Sequence, residues 1–454
     1  MSSQGSAIPV SSSVTSSVEH ERLSWGRYPR VKHRQVWRVE WADQVPSILD
    51  HVPPHGLLPY GLGRSYGDCC LNAGGELIDC SSLDRFLAAD FDEGWVRCEG
   101  GTSLADIIKI IVPRGFFLPV TPGTKFVTVG GAIANDVHGK NHHRRGTFGR
   151  HVRRLALCRS GQGTVFCGPD ENAELFRATI GGLGLTGVIL WAEIQLIPIA
   201  GSNINVEVLP FRSLEKFLAL TAESDAAFEY TVAWIDCFAS RETRGLFFRG
   251  NHANTSPSKP ARVYTPRIAF PLPKGLLNGF TIKAFNQAYF SWKSWRRGSS
   301  IQPYERFFYP LDSIGQWNLL YGRQGFLQYQ CVIPESAPAL ERILQTISQS
   351  SMGSFLGVLK RFGAAQSPGL LSFPRPGLTL ALDFAMRGES TLQLLQSLDE
   401  LVLGAGGALY PAKDARMSPA MFEASFPAWR DLRPYIDDKL SSSFWRRVTG
   451  TEPS

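Results

Sequence analysis

The chain reads as an α+β protein with more than one domain, on three observations. Short apolar runs alternate with turn residues from Trp37 to Ser82, and three separate glycine-rich loops fall before Ala200. After about Ala200 the texture changes to aromatic-rich strands alternating with helical segments.

The first twenty residues are rich in serine and lack the basic start and continuous apolar core of a secretory signal, so a disordered tail is expected there. LLPYGLGRSYGD followed by GGELIDCSSLDR predicts strand, glycine loop, strand. WVRCEGGTSLADIIKIIVPRG predicts a strand, an N-cap at Thr102 or Ser103 and an amphipathic helix over about Leu104–Val112. A second glycine passage, TVGGAIANDVHGK, leads into strand-like RLALCRS and GTVFCG; AELFRATIGGLGLTGVILWAEIQLIPI then predicts a helix, a third glycine loop and a long strand. Beyond Ala200, TVAWIDCF and GFLQYQCVIP read as strands and LERILQTISQ as a helix. The Pro-, Ser- and Lys-rich stretch Asn251–Gly279 reads as a long surface loop, and a basic helical end contains FWRRV.

With 454 residues, 43% hydrophobic and 19% charged, the chain can bury a substantial core, and fibrous or wholly disordered classes are excluded. The uncharged stretch Ala178–Ala192 is too short and too rich in glycine to span a bilayer, so no transmembrane helix is expected. A formal charge of +7 favours anionic partners without naming one. Eight cysteines include no CxxC pair and no zinc-like Cys/His spacing, so neither a metal nor a disulfide framework is expected. A reducing compartment is the default.

In Gly61-Leu62-Gly63-Arg64-Ser65-Tyr66-Gly67 three glycines let backbone amides approach a pyrophosphate, although the GxGxxG spacing of a dinucleotide fold is missing. A plain tight turn would explain this loop alone. Gly123, then Thr128-Val129-Gly130-Gly131, then His138-Gly139 add a run of small residues that lets backbone lie against a large planar ligand.

GLGRSYGD, PGTKFVTVGGAIANDVHGKNHH, GGLGLTGVI and YPAKD together resemble FAD flavoproteins of the vanillyl-alcohol-oxidase type. Within it they are most similar to the polyprenylphosphoryl-ribose 2-oxidase family, the flavoprotein half of a ribose-to-arabinose epimerase. The likeness runs from Trp25 onward. It implies an α+β two-domain PCMH-type fold: an FAD-binding domain over 21–200, an antiparallel-sheet cap over 201–404, and a segment 405–454 that completes the FAD domain. It also implies FAD at Gly61 to Gly67 with Asp68, at Gly123, Thr128, Val129, Gly130 and Gly131, and along Asn135, Asp136, Val137, His138 and Ile189, with Tyr410 and Lys413 by the ring. Arg64 stands where aldonolactone and alditol oxidases carry a histidine bonded to the cofactor, so the resemblance implies non-covalent FAD.

Oxidising a secondary alcohol needs a group that receives the hydroxyl proton and positive charge that stabilises the reduced flavin; Lys413 and His138 fit those roles. Read alone, Lys413 is a surface lysine and His138 a core histidine. The resemblance places substrate against Trp234, Gln328, Gln330, Lys360, Thr379 and Ala381, the last two standing where mycobacterial members carry asparagine and cysteine. The implied reaction takes the 2-hydroxyl of a polyprenylphosphoryl ribose to the ketone, with a short-chain NAD(P)H-dependent reductase as partner. A soluble-sugar oxidase and a non-catalytic basic surface binder are the alternatives. Trp292-Lys293-Ser294-Trp295-Arg296-Arg297 reads as a membrane-interface patch or as a helix with its tryptophans in the core; no nucleic-acid motif accompanies it. A cytoplasmic or peripherally membrane-associated protein is expected.

Overall fold

The computed structural model describes residues 22–51, 53–239, 243–254, 266–273, 275 and 277–451, together with Ser16–Ser17. Within the expected tail, Ser16–Ser17 pair antiparallel with Trp37 and Val36; the other residues of 1–20 lie outside the described residues, as do 255–265, 274 and 276 of the expected long loop.

Three main sheets build the chain. Gln35–Arg38 and Leu57–Tyr60 flank Glu76–Asp79, both parallel to it. The strands Phe86–Asp90, Trp95–Glu99, Val188–Gln195, Val152–Arg159 and Gly163–Cys167 then form an antiparallel sheet in that spatial order. The helix Leu104–Ile111 covers part of this region, burying Leu104, Ile107, Ile108 and Ile111 at helical spacing. Ser103 caps it by accepting the Asp106 N–H at 3.2 Å. The helix stops before Val112, earlier than its apolar period predicts, because Pro113 lacks an N–H and the chain tightens into the 3-10 turn Val112–Arg114.

An eight-stranded antiparallel sheet follows, in the order Gly298–Pro303, Asn203–Phe211, Gly245–His252, Tyr230–Ile235, Val358–Phe362, Gly377–Ala385, Phe326–Ile333, Ala408–Leu409. Ala408–Leu409, beyond the expected boundary at 405, pairs with Val332 and Cys331 at the sheet edge. Alternation decides the sheet's two faces. Leu327, Tyr329, Cys331, Leu359, Leu380 and Leu382 point to one side, where they bury with residues of the helices Ala337–Gln349 and Glu389–Gly404. Their neighbours in sequence point to the other side.

The C-terminal segment returns to the first sheet. Leu57 donates its N–H to the Lys439 carbonyl at 2.7 Å, and Ser443 donates to Leu71 at 2.8 Å, so the helix Ser443–Thr449 packs beside the first glycine loop. The helix Gly279–Trp295 buries Ile282, Asn286 and Phe290, which turns Trp292 and Trp295 outward. The reading that places these tryptophans in the core therefore fails. No helix among the described residues is long and apolar enough to cross a membrane.

Candidate functional site

The first glycine loop leaves the strand Leu57–Tyr60 and turns through Gly63, whose φ of 60° is left-handed and free of strain only for glycine. A Cβ on Gly61 would lie 2.6 Å from Thr128 Oγ1, so the bare backbone of the first glycine passage packs on the Thr128 side chain of the second. Thr128 Oγ1 accepts the Gly131 N–H at 3.1 Å and caps the short helix Val129–Ala134. Around this contact Gly61, Leu62, Ser65, Gly130, Gly131 and Asn135 are half-buried while Val129, Ala132 and Ile133 are enclosed. Bare backbone thus lines an open cleft, which fits the flat, phosphate-bearing body of FAD. Arg64 stacks on Trp25 with its guanidinium carbon 4.5 Å from the ring centroid.

Sheet register gathers the polar residues of the cap. Gln330 pairs with Ala381, Ala381 with Val358, and Val358 with Trp234, making one row across four strands. The neighbouring rows set Lys360 beside Thr379 and Gln328 beside Asp383. Spaced two apart along their strands, these side chains share the face opposite the two covering helices. Gln330 Nε2 donates to Thr379 Oγ1 at 3.3 Å, and Gln328 Nε2 donates to Asp383 Oδ1 at 2.6 Å. Trp234 stays on the strand through its indole N–H, which donates to the Phe355 carbonyl at 3.0 Å. Tyr329, between the glutamines in sequence, lies in the core on the reverse face.

His138 meets this face from the FAD side. Its Nε2 is 3.1 Å from Gln330 Nε2 and its Nδ1 is 3.1 Å from Lys360 Nζ, which also donates to the Gly139 carbonyl at 3.3 Å. Phe362 packs edge-on at 4.8 Å between ring centroids. Burial, and next the charge of Lys360, hold His138 well below the ordinary histidine value, so the imidazole is neutral. Burial likewise pulls Lys360 down to about 7. Tyr410 links the two sides: its hydroxyl donates to the Asn135 carbonyl at 2.9 Å and its ring lies 5.6 Å from His138.

Lys413 sits on the short turn Pro411–Lys413, with Nζ 3.7 Å from the centroid of the Tyr66 ring. Tyr66 is fixed in turn, because its N–H donates to the Ala412 carbonyl at 2.8 Å. Burial draws Lys413 down to about 7, opposed by Asp383 and Cys69. The residue as a whole is half-buried.

Three sequence-derived cofactor positions turn their side chains away from the cleft. Val129 belongs to the core. The Asp136 carboxylate accepts from the Ser367 and Ser372 hydroxyls and from the Gly149 N–H. Asp68 is bridged by Arg447. Gly123 is exposed, and Val137 and Ile189 are buried. Sequence reasoning also missed Asp383, which is fully enclosed and raised to about 7 by burial. The signal was present in GLTLALDF, where Thr379, Ala381 and Asp383 recur at a spacing of two.

Residues 34–168 match the FAD binding domain family. With the cleft and the sheet face described above, that match defines an FAD-dependent oxidoreductase. The decaprenylphosphoryl-beta-D-ribose oxidase of Mycolicibacterium smegmatis is 38% identical over 451 aligned positions, covering 91% of this chain and 96% of the relative. An uncharacterized protein in the mprA 5' region of Streptomyces coelicolor is 32% identical over 370 positions, 76% of this chain and 99% of its own length. Cytokinin dehydrogenase 10 of Oryza sativa subsp. japonica is 27% identical over 218 positions, 44% of this chain and 39% of that protein. The chain belongs to the decaprenylphosphoryl-beta-D-ribose oxidase family.

Proposed function

We propose that this protein oxidises the 2-hydroxyl of a polyprenylphosphoryl-β-D-ribose to the 2-keto sugar, the first half of an epimerisation to arabinose. The observation that carries the reading is the convergence of His138, Lys360, Gln330 and Thr379 on one sheet face, with Lys413 across the cleft. Bound FAD would supply the acceptor for the hydride leaving the carbinol carbon. The backbone of Gly61 to Gly67 and of Gly130 to Gly131 would hold its phosphates and Asn135, His138 and Tyr410 its ring side, without a covalent bond because Arg64 offers no nucleophilic nitrogen.

On the substrate side, Gln328, Gln330 and Thr379 present amide and hydroxyl groups of the kind that orient a sugar. Trp234 offers an apolar ring in the same row. Neutral His138 can take a hydroxyl proton, and the Lys413 ammonium stabilises negative charge developing near it. A short-chain reductase would complete the epimerisation, and the lipid-linked substrate implies peripheral contact with a membrane. Anaerobic assay with polyprenylphosphoryl ribose, free alditols and aldonolactones tests the reading. Flavin bleaching by the lipid-linked ribose alone is expected; bleaching by the soluble sugars alone overturns it.

A further inference from the structure

The helix Gly279–Trp295 carries four large aromatic side chains in water. Phe280 and Trp295 are 82% and 81% exposed, and Phe285 and Trp292 are about half exposed. At roughly 100° per residue these four fall within one sector of about 140°, facing away from the buried Ile282, Asn286 and Phe290. Phe270 and Ile301, from the segments flanking the helix, are also strongly exposed. An apolar face of this kind on a charged chain calls for a partner.

Charge names its chemistry. From Thr243 to Tyr304 the chain has ten lysines and arginines and no aspartate or glutamate. The remaining 37 cations face all 40 acids, so the chain's whole positive excess resides in this segment. Among the described residues Lys283, Lys293, Arg296 and Arg297 form no ion pair, and Lys293 and Arg296 lie over the Trp292 ring at 5.0 and 5.2 Å. Exposed tryptophans beside unpaired cations suit a bilayer interface with anionic headgroups, where indole rings settle at headgroup depth.

The inner edge of the same helix touches the site. Tyr289 packs against Trp234 at 5.0 Å. Phe285, half in water, packs on Phe355 at 5.9 Å; Phe355 packs on Tyr321 at 6.0 Å, Tyr321 on Phe326 at 4.3 Å, and Phe326 on Tyr66 at 5.4 Å. Tyr66 is the ring under Lys413. The rings of Tyr321, Phe326 and Tyr66 are themselves buried, so this line is packed core behind the exposed face.

We propose that the aromatic and basic face of the helix Gly279–Trp295 docks on an anionic lipid bilayer, and that this docking delivers a membrane-held prenyl substrate to the side of the site where Tyr289 packs on Trp234. The second half rests on the substrate reading above; the first stands without it.

The test uses the full-length holoprotein with vesicles of phosphatidylcholine, alone or mixed with an equal share of phosphatidylglycerol. Co-sedimentation with the anionic vesicles only is expected. Two double variants, Phe280→Ser with Trp295→Ser and Arg296→Ser with Arg297→Ser, alter exposed residues, and an unchanged flavin spectrum will show that each has folded. The charge variant should lose about thirtyfold in partition, from about 1 kcal/mol for each cation near the surface. The aromatic variant should lose binding as well. Equal binding to neutral vesicles, or full binding by both variants, overturns the docking face. Both variants should oxidise a short-chain, water-soluble prenylphosphoryl ribose at the wild-type rate and lose activity on vesicle-embedded substrate. Wild-type activity of the variants on embedded substrate overturns the delivery route. If no form of the protein oxidises the short-chain compound, the substrate reading fails while sedimentation still judges the docking face.

Discussion

The ammonium of Lys413 lies 3.7 Å from the centroid of the Tyr66 ring, whose own backbone is tied to Ala412 one residue before the lysine. The ring and the charge it attracts are therefore positioned by the same turn. A cation over a ring face is stabilised there and a neutral amine is not, so Tyr66 opposes the burial that draws Lys413 down to about 7.

Lys413→Ala should keep the fold and much of the bound FAD while slowing flavin reduction by substrate ~100- to 1,000-fold, the usual loss when a preorganised electrostatic partner is removed. Stopped-flow bleaching in anaerobic single turnover measures it. The wild-type rate should fall as pH rises through about 7, because the protonated form is the stabilising one. A rate that climbs through the same window would make the amine a proton acceptor instead.

Lys360 and His138 share a 3.1 Å contact that two protonated groups cannot hold. Lys360→Met removes the neighbouring charge that, after burial, most depresses His138. The imidazole should then titrate at higher pH than in wild type, read by nitrogen NMR of histidine-labelled protein. An unchanged titration would mean that burial alone holds the ring neutral.

Asp383 is raised to about 7 by burial, so the folded chain favours its protonated form. Its stabilising contribution is complete below the ordinary carboxylate value and is lost as pH rises to about 7. Asp383→Asn mimics the protonated state and preserves an acceptor for Gln328. Its melting temperature relative to wild type should therefore increase between pH 5 and pH 8. A constant difference across that range would place the carboxylate's titration elsewhere.

Arg447 ties the C-terminal helix to the end of the first glycine loop and to the residue after Lys413. It donates to both oxygens of Asp68, at 2.9 and 2.7 Å, and to Asp414 beside Lys413 at 2.9 Å. Arg447→Ala leaves two buried carboxylates without their cation, and such a loss costs about 3–5 kcal/mol. Thermal unfolding followed by tryptophan fluorescence should show a clear drop, with weaker FAD retention because Asp68 ends the first glycine loop. Lysine at 447 should restore only part of it, since an ammonium cannot make the paired contact with Asp68.

The glycine loops, a helix over about Leu104–Val112 and the strand in GFLQYQCVIP were legible in the chain. Each depends on interactions between near neighbours: the steric freedom of glycine, an apolar period of 3.6, a strand period of two. The likeness of YPAKD and GLGRSYGD to known flavoproteins extended that reading to an FAD-dependent oxidoreductase, which the match of residues 34–168 and the full-length relative bear out. Only the tertiary structure decided which partners meet. His138 contacts Gln330 and Lys360 across 192 and 222 positions, Asp383 accepts a hydrogen bond from Gln328 on the neighbouring strand, and Asp136 is drawn into a serine-lined interior. Sheet register and the docking of distant segments set those contacts, and a one-residue slip in any strand would turn each of its polar side chains to the covered face. The outward turn of Trp292 and Trp295 has the same origin, because the face a helix buries depends on the surface waiting for it as much as on its own residues.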